Sequence, residues 1–301
     1  MAVVRTFARN HLWSVLCLLG LVISTGHAPF SLWPVSLIFL SLAFRLHEAH
    51  ESRKPSFKSS FKNGWWLGFG FFLGTLNWLV EPFLVDIATH GWMAPFAVLL
   101  MSGSLALFWG TGMSLGGLLG GRLGCALGLG LCEMVRGYLF TGFPWGLLGY
   151  IWVDTPLAQL ASYFGAYGLT VVTFGFCALL AQSFYVRRKV MDLAALSLLF
   201  LVVWLFNNTS QHTHQAPENA TVIRLVQPNA PQDKKFDPKF AMDYFQRMLE
   251  FSQQAPQPDL IVWPETSLPR AYNFAADLKS LILFLIIITA KIKELKRIIS
   301  S

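Results

Sequence analysis

Long stretches of the chain carry no Asp, Glu, Lys or Arg: residues 11–44, 64–80, 87–121, 137–153, 155–186 and 193–217. About 20 apolar residues in a helix cross the roughly 30 Å hydrocarbon core of a bilayer. The pattern therefore predicts spans near 11–27, 31–45, 64–84, 93–120, 123–139, 161–186 and 190–206, about seven crossings. The second and last are short. Pro34 falls early in the second, so the first pair is expected to form a tight helical hairpin. Gly112, Gly116, Gly117, Gly120 and Gly121 give small-xxx-small spacing, which lets helix backbones approach closely. Arg5 and Arg9 before the first run, and small residues around 24–28 after it, also outline a cleaved signal peptide. Apolar runs that continue at once favour a retained anchor. Cys17 follows Val15 and Leu16, unlike a lipoprotein cleavage site.

Past residue 206 the pattern changes. Residues 207–220 are polar, contain Pro217 and read as a linker. A β-branched run over 221–226 is ended by Pro228 and Pro231. Phe240, Tyr244, Met248 and Phe251 recur at helical spacing, and a second apolar run, Leu260 to Trp263, follows. Strand, helix and strand in so short a stretch predict a βαβ unit, and hence a parallel sheet with covered faces. Glu265 comes just past the second strand, where open α/β folds place ligand-handling groups. Next to Trp263 and Pro264 it is a candidate general base, its proton affinity raised by partial desolvation. An ordinary solvated loop acid is the other reading.

Composition sharpens this picture. Charged residues make up 13% of the 301 and hydrophobic ones 54%, against about 25% charged in soluble chains. With mean hydropathy +0.50, the chain is a polytopic α-helical membrane protein followed by the start of an α/β domain. Disorder is excluded by the apolar content, and a disulfide scaffold by four cysteines in a long chain. The seven histidines show no metal-ligand spacing, so no metal is expected, nor any other cofactor. The sequence pI near 9.3 is explained by the position of the basic residues. Arg5, Arg9, Arg45, Arg53, Lys54, Lys58, Lys62, Arg122 and the run Arg187–Lys189 all fall between spans on one side. By the positive-inside rule that side and the N-terminus are cytoplasmic, and everything after residue 206 is extracytoplasmic. Nucleic acid is not needed to explain the charge.

The segment Trp263-Pro264-Glu265-Thr266-Ser267-Leu268-Pro269 resembles the first catalytic motif of the carbon–nitrogen hydrolase (nitrilase) superfamily. The membrane half resembles, in order, the bundle of bacterial apolipoprotein N-acyltransferases, the family in which such a domain is fused to a polytopic bundle. The matching residues are Pro29-Phe30 before Trp33-Pro34, Asn77-Trp78, Glu133 with Arg136-Gly137, Thr141 to Trp145, and Gly149-Tyr150. Val226-Gln227 with Pro231-Gln232 continue the series, and the likeness covers roughly 11–277. The resemblance implies a nitrilase-like fold for the outer domain, in the bacterial cytoplasmic (inner) membrane. It implies transfer of an acyl chain from a phospholipid to the α-amine of an S-diacylglyceryl cysteine on lipoproteins. It also implies a Glu–Lys–Cys triad, with Glu265 at the general-base position, a thiolate attacking the ester and a lysine steadying the oxyanion. Phe236, Trp263, Arg136 and Trp145 are the candidate substrate contacts, Phe236 standing where the family often carries Trp.

The sequence departs from the family after residue 277. The expected organisation is a bundle over 1–206, a linker over 207–220, a βαβ fragment of the nitrilase-like domain over 221–277, and an atypical apolar and basic tail over 278–301. That tail has too short an apolar run to span. It reads as an interfacial helix or, better, as an out-of-frame or artificially ended segment. Cys17, Cys125, Cys132 and Cys177 all lie in predicted spans, and Lys279, Lys291 and Lys293 have no recognisable family context. Triad lysine and cysteine are therefore unassigned, and the chain as written is expected to be inactive. Glu133 and Arg136 are spaced to pair along a helix, with a lipid phosphate as the other partner for Arg136. Trp145 and Trp152 read as interfacial aromatics, and Glu81 and Asp86 as outer-boundary acids. The competing classes are a non-catalytic membrane bundle, a membrane-tethered nitrilase-type amidase remnant, and a product that does not fold stably.

Overall fold

The computed structural model describes residues 11–51, 56–181, 220–231, 234 and 237–264. The expected span at 190–206, the linker through Asn219, Phe236, Glu265, and the tail lie outside the described residues. The chain divides into two compact units, Met1–Thr213 and His214–Ser301.

Among its described residues the first unit has six principal helices: α1 Leu12–Ser24, α2 Trp33–Glu51, α3 Phe57–Thr75, α4 Ala94–Leu119, α5 Gly121–Tyr138 and α6 Ala161–Leu180. They overlap the first six expected spans, with two corrections, the first being that among the described residues only two helices, or three counting a bent pair, are long and apolar enough to cross a membrane. Residues 87–119 and 156–180 are long and apolar enough to cross a membrane, and a third candidate is the pair 57–75 and 77–84 taken together. α1 has 13 residues, about 20 Å at 1.5 Å per residue. α5 dilutes its apolar face with five glycines and the charges of Arg122, Glu133 and Arg136. The second correction concerns the expected straight span over 64–84. It starts earlier, at Phe57, and breaks at Leu76 (φ −105°, ψ 17°) with a bend of 62°. Short helical turns then carry the chain to α4.

Glycine lets these helices touch. A methyl on Gly70 of α3 would collide with the Cys17 carbonyl of α1, and one on Gly20 of α1 with the Leu67 carbonyl. Gly112 and Gly116 of α4 meet Gly128 and Gly124 of α5 in the same way, the close approach expected of small residues in membrane helices. Gly120 and Gly121 serve differently. Their φ values of +88° and +66° make the tight turn between α4 and α5. Inside the bundle, fully buried Trp109 of α4 stacks on Phe71 at 4.7 Å and meets Phe72 and Phe174 edge-on at 5.7 and 5.5 Å.

Polar contacts sort the helix ends into two groups. At one end Arg122 reaches Glu48 (3.2 Å) and the carbonyl of Ala181 (3.2 Å), and Arg45 lies 3.8 Å from Glu48. At the other, the Ser31 hydroxyl donates to Asp154 (2.8 Å), and His27 Nε2 lies 3.0 Å from the Leu147 carbonyl. The α1–α2 connection closes with Leu32 N–H donating to the Thr25 carbonyl and Ser36 to that of Ile23, a tight hairpin as expected. Arg45 and Arg122 thus share an end with the last turns of α2.

His47 is packed there, 3% exposed, beyond the apolar part of α2. Asn63 donates its amide to Nδ1 at 3.2 Å. Burial lowers its pKa from 6.5 to about 4, with Glu51 pulling it up and His50 pushing it down. Because the folded value lies below the unfolded one, the unfolded chain binds the extra proton between those values. Stability is therefore expected to fall as pH drops through 6.5, by about 3 kcal/mol once below about 4. Unfolding in detergent as a function of pH checks this, and His47→Gln should remove that component of the slope.

The described residues of the second unit form a βαβ arrangement: β1 Ile223–Leu225, α7 Pro238–Gln253 and β2 Leu260–Val262. The strands pair in parallel, with Ile223 opposite Leu260 and Leu225 opposite Val262. Asp237 caps α7 by accepting from Lys239 N–H at 2.9 Å. At the far end Arg224 of β1 donates to the carbonyls of Phe251, Ser252, Gln254 and Pro256, satisfying the orphan acceptors of the last turn. Phe245 and Met248 form the core with Val226, Ile261 and Trp263. Phe240, one of the apolar positions at helical spacing, is exposed, while Phe245 fills the face turned to the sheet. Ile223, Leu225, Leu260 and Val262 point away from the helix and are exposed.

Candidate functional site

The end of α5 organises a loop that gathers most of the chemistry of the bundle. Phe140, Gly142 and Gly146 have φ of +56°, +78° and +69°, so the chain doubles back after Tyr138. Arg136 holds the fold of this loop with both halves of the residue. Its carbonyl accepts from Phe143 N–H at 3.2 Å, and its Nη1 donates to the carbonyls of Phe143 (2.6 Å) and Trp145 (2.9 Å). Arg136 Nε and Nη2 donate to the two oxygens of Glu133 at 3.2 and 2.5 Å, the expected local pair. Glu133 Oε1 also accepts from Trp109 Nε1 at 2.8 Å. Both charged side chains are 1% exposed. Such a pair survives in low dielectric because nearly every donor and acceptor is satisfied. The guanidinium lies 5.2 Å from the Phe72 ring centroid. Four of its five N–H groups therefore serve the fold.

Trp145, by contrast, is 52% exposed and leans on Phe143 (5.1 Å) and Trp78 (6.4 Å). Phe140, Tyr138, Trp92 and Phe96 are exposed as well. Aromatic side chains of this kind suit the interface between water and acyl chains. Trp152 is a correction to the interfacial reading. It is 3% exposed, donates from Nε1 to Thr173 at 2.8 Å and lies 5.3 Å from Trp33. A neighbouring hydroxyl on α6 lets the indole N–H be buried. Glu81 and Asp86 sit at the same end of the chain path, on the short turns after the bend.

Of the other sequence candidates, Trp263 packs edge-on against Phe245 at 5.8 Å and donates to Ser252 at 2.9 Å. The indole thereby fixes the end of β2 on α7, immediately before the Pro264–Glu265 step. Phe236 and Glu265 themselves lie outside the described residues. Cys17, Cys125, Cys132 and Cys177 are all unpaired and within helices of the bundle. Sequence reasoning missed two features. Trp109 completes the hydrogen bonds of Glu133 from a different helix. A cavity of about 450 Å3 opens at the opposite, basic end, between the ends of α2, α3, α4 and α5. Neither has a local sequence signal.

A glycine-packed bundle of apolar helices with a buried ion pair, on the same chain as a parallel βαβ unit, defines a membrane protein with an α/β extension. The chain belongs to the apolipoprotein N-acyltransferase family: residues 19–179 match its N-terminal domain. It is 36% identical over 266 residues to an apolipoprotein N-acyltransferase of Caulobacter vibrioides, covering 84% of this chain and 49% of that one. A namesake from Rhodopseudomonas palustris is 32% identical over 281 residues, 86% of this chain and 52% of the relative. One from Brucella suis is 35% identical over 223 residues, 69% and 42%. The chain thus spans about half the length of the curated relatives it matches.

Proposed function

We propose that this chain contributes the membrane bundle and the first part of the catalytic domain of an apolipoprotein N-acyltransferase. In that role an acyl chain passes from a phospholipid to the amino group of a diacylglyceryl-modified cysteine on a lipoprotein. The observation that carries the proposal is the family match over the bundle, joined to a parallel βαβ unit whose second strand leads into Trp263-Pro264-Glu265. The bundle occupies residues 1–206 in the bacterial inner membrane, with its N-terminus cytoplasmic, and 221–277 begin a nitrilase-like domain outside. Glu265 is the general base. In sequence it comes two residues after Trp263, whose indole is hydrogen-bonded to Ser252 of α7. Trp145 and Phe236 offer apolar surface to the acyl donor. Arg136 acts on the donor only through the loop it holds, since its guanidinium is committed to Glu133 and to loop carbonyls.

These 301 residues by themselves are catalytically incomplete. All four thiols of these 301 residues lie in helices of the bundle, and none is assigned as the nucleophile. Supplied with phospholipid and a diacylglyceryl peptide, the purified chain is expected to give no N-acylation above a protein-free blank. Turnover that is lost in Glu265→Gln would overturn the incompleteness. Sidedness is tested separately by introducing Glu265→Cys and labelling intact spheroplasts with an impermeant maleimide. Reaction only after permeabilisation would overturn the extracytoplasmic placement.

A further inference from the structure

Parallel sheets are covered on both faces, and among the described residues α7 covers one face of the β1–β2 pair. Arg224 and Ile261 turn to that helix. Ile223, Leu225, Leu260 and Val262 alternate to the other side. The register sets Ile223 beside Leu260 and Leu225 beside Val262, so the four make one apolar square, 42% to 77% exposed. Three residues of strand make it roughly 10 Å long. Apolar side chains grouped in this way gain from any cover that removes them from water. The sequence supplies a candidate. The first long uninterrupted apolar run after β2 is 281–288, all Leu, Ile or Phe, bracketed by Lys279 before it and Lys291 and Lys293 after it. Coiled as a helix, such a run extends about 12 Å. That is far short of the roughly 30 Å core of a bilayer but close to the length of the sheet face. Residues 263–280 join the run to β2, and chains of that length average roughly 23 Å end to end, enough to return across one strand. Tethering also gives the run an effective concentration on the order of millimolar, which a second copy of the chain in dilute solution does not match.

We propose that residues 281–288 fold back over Ile223, Leu225, Leu260 and Val262 and close the second side of this sheet. The lysines on either side of the run then lie past the ends of the apolar square, in water. This role for the tail is independent of the acyl-transfer reading above, since it rests on the strand register and the apolar run alone.

The test uses the full 301-residue chain in mild detergent with Leu225→Cys introduced. Its reaction with a soluble maleimide is followed by mass spectrometry of the peptide carrying residue 225, which separates it from the cysteines of the bundle. Leu285→Lys together with Ile288→Lys should raise the rate about tenfold, because thiol reactivity follows access. Rates within about threefold of each other, with and without the tail substitutions, overturn the proposal. Both fast would mean an open face, and both slow a face covered by detergent. A rate that rises on dilution of the chain with its native tail also overturns it, by assigning the face to a second copy. Should the lysine variant aggregate, Leu225→Cys with Leu285→Cys decides. Mild oxidation is expected to join the two within one chain, and the absence of that linked peptide pair overturns the proposal.

Discussion

Glu133→Ala should destabilise the bundle by about 3–5 kcal/mol, among the largest losses available to a single substitution in this chain. It leaves the Arg136 guanidinium, 1% exposed, without a counter-charge, and strips Trp109 Nε1 of its acceptor. Arg136→Ala should cost as much, because it orphans Glu133 and releases the carbonyls of Phe143 and Trp145 together. The pair Glu133→Leu with Arg136→Met should lose less than the sum, since the isolated charge is gone while the loop remains unheld. Thermal unfolding in detergent reads these differences as shifts on the order of 10 °C for each single variant. A shift of under about 1 kcal/mol for Glu133→Ala would mean that water reaches the pair and that the loop is held by something else.

Gly70→Ala and Gly128→Ala are expected to be the next most damaging changes, at about 1–3 kcal/mol or somewhat more. The added methyl meets main-chain atoms in both cases, the Cys17 carbonyl from Gly70 and the Gly112 carbonyl from Gly128. Backbone cannot rotate aside as a side chain can, so the helices must separate. Gly175→Ala is the internal control. It has open space around it on α6, and the better helix propensity of alanine should make it neutral or stabilising by up to about 1 kcal/mol. Equal losses at all three positions would show that helix contact is not what these glycines provide.

Charge placement made much of the bundle legible from sequence. Arg45, Lys58, Lys62 and Arg122 come between apolar runs, and six helices lie along those runs. The pairing of Glu133 with Arg136 was readable because three residues along one helix fixes their distance. Its third member was not, since Trp109 comes from another helix and nothing local marks an indole N–H as a donor. The break at Leu76 was missed for a related reason. No proline stands at the bend, the chain stays uncharged through Val80, and the charge-free run continues where the helix does not. Trp152 shows the limit of composition. A tryptophan near a span end reads as interfacial until Thr173 is seen to accept its N–H. In the α/β unit, the spacing of Phe240, Tyr244, Met248 and Phe251 found the helix but misplaced its buried edge. Arg224 and Phe245 decide that edge through contacts far apart in sequence.

The bend after α3 has one more mechanical consequence. Because the chain turns aside there, Trp78 comes to rest against Trp145, and Arg136 holds Trp145 through its carbonyl. The Glu133–Arg136 pair thereby ties two segments that lie far apart along the polypeptide to Trp109 at the buried centre of the bundle.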